Sequence, residues 1–147
     1  MEKIQVSNEK LIPLFKKLKS NGIALICVWI GATIALIGTG LFVNFALASP
    51  IAAFIGFMFM GFININYANV AMKKLESNEL EVYKTKCIKK RLLEYAVVEN
   101  NEILSRKVKR PLKWVPLLVP MKSINVGDEI GIVKVDKKVF YAFSLNE

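Results

Sequence analysis

From Asn21 to Met72 the chain carries no Asp, Glu, Lys or Arg. A helix in a soluble core rarely exceeds a few turns, whereas a bilayer span needs about 20 apolar residues. The uncharged run is long enough for two spans and much too long for the apolar segment of a cleaved signal peptide. Within it, Ala48-Ser49-Pro50 marks a break. Serine is a good N-cap, and proline fits the first helical position, where its missing N–H costs nothing. The spacing therefore predicts one span over about Gly22 to Leu47, a tight turn, and an antiparallel second span from about Pro50 to Met72. Asn44 sits near the turn, placed to satisfy local backbone groups.

Charge sets the expected orientation. Lys3, Lys10, Lys16, Lys17 and Lys19 precede the first span, Lys73 and Lys74 follow the second, and the connecting turn is uncharged. Lysine and arginine stay on the cytoplasmic side, so both termini are expected in the cytoplasm, with the hairpin in a bacterial-type inner or plasma membrane. Three parts follow: a basic amphipathic segment over 1–20, the hairpin over 21–74, and a cytosolic domain over 75–147. In the first part Leu11, Ile12, Leu14, Phe15 and Leu18 gather on one helical face, a pattern that suits the membrane interface or packing on the cytosolic domain. Pro13 fits only a helix that starts near it.

Small residues recur on the first span at Ala24, Cys27, Gly31, Ala35 and Gly38, in steps of three and four. Such a stripe lets another backbone approach closely. The second span offers Ala53, Gly56 and Gly61, so the helix-packing set is read as Ala24, Gly31, Ala35, Gly38 and Gly56. A contact between copies of the chain is the alternative use of the same stripe. Asn64, Asn66 and Asn69 near the end of the second span either line a polar path or sit at headgroup depth, and the lack of charge in both spans favours the latter.

Beyond Leu75 the texture changes to short alternating runs. Leu80–Lys89, Leu92–Val98, Glu102–Val108, Glu129–Val135 and Val139–Leu145 read as strands, with turns at Asn100-Asn101, Val126–Asp128 and Asp136–Lys138. Five short strands without a helix predict a small all-β domain, a five-stranded barrel of the SH3-like or OB-like kind, with an open twisted sheet as the alternative. The last hairpin, "VGDEIGIVKVDKKVFYAF", loosely resembles the closing hairpin of short NfeD-like membrane proteins. That resemblance is confined to this hairpin; it implies an OB fold and scaffold partners of the flotillin or stomatin type.

Chemistry is constrained by what is missing from the sequence. With no histidine and two cysteines, Cys27 and Cys87, triads and zinc sites start from a poor inventory. No phosphate-binding loop, nucleophile elbow or metal-binding motif occurs in the sequence. The chain is accordingly expected to be no enzyme and to hold no cofactor or metal.

From Leu75 onward fourteen Lys or Arg face ten Asp or Glu, a net of +4. The aromatics are not interleaved with the basic clusters, which speaks against nucleic acid. An anionic inner leaflet accounts for the charge, at about 1 kcal/mol per basic residue near the surface. In "RPLKWVPLLVP", residues 110–120, three prolines remove backbone donors, so the segment can pair only as an edge. Arg110, Lys113, Trp114, Leu117 and Leu118 are the candidate contacts to membrane or partner; the competing expectation is that these side chains close the domain core. Taken together, the sequence predicts a membrane-anchored β module that binds an unnamed protein partner. The alternatives are an oligomeric channel or transporter accessory, and a membrane immunity or defence component.

Overall fold

The computed structural model describes residues 1–38, 48–91, 95–105, 111–118 and 124–145. The chain divides into a helical unit, Lys16–Asn69, and a sheet unit made of Met1–Phe15 with Val70–Glu147.

Two helices run through the first unit, α1 (Asn8–Gly38) and α2 (Ala48–Glu76). Their described parts include stretches, Asn8–Ala35 and Ile55–Glu76, long and apolar enough to cross a membrane. α2 begins one residue before Ser49, close to the expected cap. Asn44 falls outside the described residues. The helices approach closely at Gly22 and Gly61; Gly61 is among the small sites offered on the second span, and neither is in the packing set. A Cβ at Gly22 would lie 2.7 Å from the Gly61 carbonyl oxygen, and one at Gly61 would lie 2.7 Å from that of Gly22. Only hydrogen side chains allow two helix backbones to come this close.

α1 starts five residues before Pro13 rather than beside it. Pro13 is exposed, so the carbonyl left without its helical partner is open to water. At the other end, α2 stops on a left-handed residue, Asn78, with φ of 56°. The Glu79 N–H reaches the Lys74 carbonyl at 2.8 Å and the Asn78 N–H reaches that of Leu75 at 3.2 Å. This closure satisfies the last carbonyls and turns the chain into the sheet.

The sheet unit holds seven strands among the described residues: β1 (Glu2–Ile4), β2 (Glu81–Lys86), β3 (Lys89–Arg91), β4 (Tyr95–Glu99), β5 (Leu112–Pro116), β6 (Glu129–Asp136) and β7 (Val139–Ser144). They form two antiparallel sheets, ordered β1-β2-β6-β7 and β3-β4-β5. The expected five-stranded barrel is therefore corrected. Its closure is not found; a parallel bridge from Leu117 to Ala142 and the Leu118 N–H to the Ala142 carbonyl at 2.8 Å tie the end of the smaller sheet to β7. The difference lies in two strands of only three residues each, β1 and β3, too short to leave a periodic pattern. Of the return strand expected over Glu102–Val108, the described part, residues 102–105, is not a strand, and the rest lies outside the described residues. Asn101 instead closes a turn through the Leu104 and Ser105 N–H groups, and the chain returns as β5.

Ile130, Ile132, Phe140 and Ala142 of the larger sheet and Ala96, Val98, Val115 and Leu117 from the smaller one share a buried core. The opposite face of β6 and β7 is buried as well, through Val133, Val135, Tyr141 and Phe143. In the same unit lie the first turns of α1 and the last of α2, with Leu11, Phe15, Ala71 and Leu75 buried. Lysines from both helix segments donate to strand-end carbonyls, Lys10 to Leu145 at 2.6 Å and Lys74 to Val135 at 2.9 Å. Of the amphipathic set, Leu11, Phe15 and Leu18 are buried, Leu14 is half-buried and Ile12 is exposed.

Candidate contact surface

β5 places part of the proline-rich segment 110–120. Its register pairs Glu99 with Leu112, Val98 with Lys113, Val97 with Trp114 and Ala96 with Val115. Strand alternation sends Lys113 and Val115 to one face and Leu112 and Trp114 to the other. Val115, Leu117 and Leu118 are buried, so Leu117 and Leu118 belong to the interior and are unavailable as contacts. Leu118 also donates its N–H to the Ala142 carbonyl at 2.8 Å, locking the segment against β7. Leu112 and Trp114, by contrast, are 42% and 50% exposed. Arg110 falls outside the described residues.

Lys113 turns inward. Its Nζ donates to the Leu104 carbonyl and, at 3.3 Å, to Ser105 Oγ, and stands 5.2 Å from the centre of the Phe140 ring. Burial holds its ammonium below the usual lysine range. Its charge therefore serves the turn at Asn101–Ser105 and is not offered to a ligand.

Sequence reasoning missed the exposure of two further apolar positions, Ile88 and Val126. Ile88 is 44% exposed between exposed Lys86 and Lys89, and Val126 is exposed on the neighbouring turn. That turn is joined to Cys87 by the Gly127 N–H to the Cys87 carbonyl at 2.8 Å and by the Cys87 N–H to the Asp128 carbonyl at 3.0 Å. Gly127 takes φ of +94°, the conformation glycine allows freely. Strand periodicity places Ile88 on one face with Val82; the chain leaves β2 after Lys86 and the alternation stops there. The signal that was available lay in β5, where alternation alone separates Leu112 and Trp114 from Lys113 and Val115.

On the helical unit, Ala24, Cys27, Gly31 and Ala35 are exposed, as is Gly56. A Cβ at Gly31 or Gly56 would meet nothing within 4 Å. A close approach within the chain lies at Gly22 and Gly61, away from Gly31 and Gly56. The surroundings of Gly38 and Ala53 fall outside the described residues. Asn64 is half-buried beside the crossing, its Cβ 3.2 Å from where a Gly22 Cβ would stand, while Asn66 is exposed.

An ion-pair cluster braces the larger sheet. Glu81 accepts from Lys134 at 2.7 Å and lies 3.5 Å from Lys3, and Lys84 meets Glu129 at 2.6 Å. The Lys134 hydrogen bond holds the Glu81 carboxyl below its ordinary value, and the Lys134 ammonium is raised in return. Among the described residues no group of three or more His, Cys, Asp or Glu comes together as a metal site. No family model, curated protein or solved structure matches this chain.

Proposed function

We propose that this chain is an integral membrane protein whose helical hairpin anchors a small, non-enzymatic sheet domain that binds a protein partner at the cytoplasmic face. The observation that carries the reading is the surface of the helical unit. Ile23, Val28, Ile30, Ile34, Ile55, Phe57, Phe59, Met60, Phe62 and Ile63 are all large, apolar and exposed. Water does not tolerate a contiguous apolar surface of this extent on a soluble monomer, whereas lipid chains cover it without cost. The basic residues flanking the hairpin supply the cytoplasmic orientation. Alkaline extraction of membranes tests the anchor, with the chain expected to stay in the membrane fraction. Mild crosslinking followed by pull-down tests the partner. A chain released by alkali would sink the reading at its first step.

The open stripe favours a second reading. Among the described residues a Cβ at Gly31 or Gly56 would meet nothing within 4 Å, so α1 can pack against another copy and build a small pore or a transporter accessory. Oligomeric state in detergent separates the readings: a discrete ring of four or more subunits supports the pore, and a monomer or dimer supports the anchor.

A further inference from the structure

We propose that the outer face of the β3-β4-β5 sheet docks on an anionic phospholipid surface, with Leu112 and Trp114 entering the headgroup layer and Lys89, together with Lys86 at the end of β2, meeting its phosphates and carboxylates. The inference rests on the reading of the hairpin as a membrane anchor and adds to it the surface by which the sheet domain is held at the leaflet.

The register builds the patch. Lys89, Val97 and Trp114 occupy one row across the three strands, with Val97 buried between its two exposed neighbours. At the strand spacing of about 4.8 Å, Lys89 and Trp114 are about 10 Å apart. Leu112 lies two residues from Trp114 and so on the same face. The entry to β3 is held by the Ile88 N–H, which donates to the Val97 carbonyl at 2.8 Å. Half-exposed tryptophan and leucine beside exposed lysines form the combination that membrane interfaces favour, since the indole takes the headgroup level and the ammonium the anionic charge. The chain as a whole carries a net charge of +9.

Two arguments prefer lipid to a protein on this face. The exposed apolar residues are few, and a stable protein interface buries about 800 Å² on each partner. A domain tethered to the bilayer, however, meets lipid at high effective concentration, so a few contacts suffice. Nor does the patch compete with the fold, because Val115, Leu117 and Leu118 supply the core from the same segment.

The test uses the full chain in nanodiscs of phosphatidylcholine alone and of phosphatidylcholine mixed with phosphatidylserine. Trp29→Phe leaves Trp114 as the only tryptophan; should that variant fail to assemble, the difference between wild type and Trp114→Phe isolates the same emission. Acrylamide quenching of Trp114 is expected to fall about two-fold or more in the anionic discs, with a blue-shifted emission. Lys89→Glu combined with Lys86→Glu is expected to abolish that difference while leaving the melting profile in place. Equal quenching in both lipids overturns the inference, whether Trp114 stays open or is sheltered in both; shelter in both marks a protein contact. Assembly into discs without composition dependence overturns the docking and spares the anchor. A chain that does not enter discs overturns both.

Discussion

Gly131 shows how tightly one residue is specified. It lies opposite Phe143 in the register of β6 and β7, and a Cβ at this position would collide with the Phe143 ring. Both are buried, so the ring has nowhere to retreat. Gly131→Val is expected to cost about 1–3 kcal/mol as an overpacked core, read as a lower melting temperature of the purified chain. The Glu81–Lys134 pair makes a pH prediction. Glu81 is depressed below its ordinary 4.5, so its contribution is present above that value and fades as pH falls through its folded value. Lys134 is raised above its ordinary 10.5, so its contribution is present below that value and fades as pH rises through its folded value. Both side chains are about one-third exposed, and solvent screening limits the pair to about 0.2–1 kcal/mol. Stability should thus decline at both extremes, and Lys134→Met should flatten both slopes in melts run across pH. A variant that keeps both slopes would remove the pair as their cause. Neither residue stood out in the sequence. Gly131 sits inside an alternating strand, and its need for space comes from a partner twelve positions away in the chain; Glu81 finds Lys134 only through the pairing of β2 with β6.

At the scale of elements, the β6–β7 hairpin was legible because turn residues bound two alternating runs, and the hairpin of long apolar helices was legible from missing charge alone. β1 was not. Glu2–Ile4 is three residues long and owes its strand conformation to its ladder with β2, a case of tertiary pairing deciding a segment that local preference leaves open. The helix crossing was missed for a related reason. A stripe in steps of three and four identifies a face that permits close approach, and Gly61 was among the small sites offered on the second span, but its partner here is Gly22, at the edge of the uncharged run and off the stripe. Gly22→Val and Gly61→Val should each weaken the helical pair by about 1–3 kcal/mol, because each inserts side-chain atoms against a carbonyl that cannot move without its helix. Gly31→Leu should leave that pairing intact. Thermal unfolding followed by circular dichroism in detergent reads the first effect, and crosslinking yield between copies reads the second. Loss of intermolecular crosslinks in Gly31→Leu with an unchanged melt would assign the open stripe to self-association; an unchanged yield would leave it facing lipid.

Across the whole molecule, the reading as a two-span anchor expects both termini on one side of the membrane. With Cys27 and Cys87 replaced, a Lys138→Cys reporter in the exposed β6–β7 turn should escape an impermeant thiol reagent in intact cells and react after permeabilisation. Labelling before permeabilisation would reverse the orientation. The pairing of β1 carries a separate consequence, for the order in which the molecule is made. Glu2 pairs with Lys84, so a ribosome finishes both apolar helices before it synthesises the strand that β1 needs. Until then Glu2–Ile4 has no partner, and closing so long a loop comes late in folding. A bulky fusion placed before Glu2 would therefore disturb the last step of assembly rather than the first, with its damage surfacing in a sheet built almost entirely from the other end of the chain.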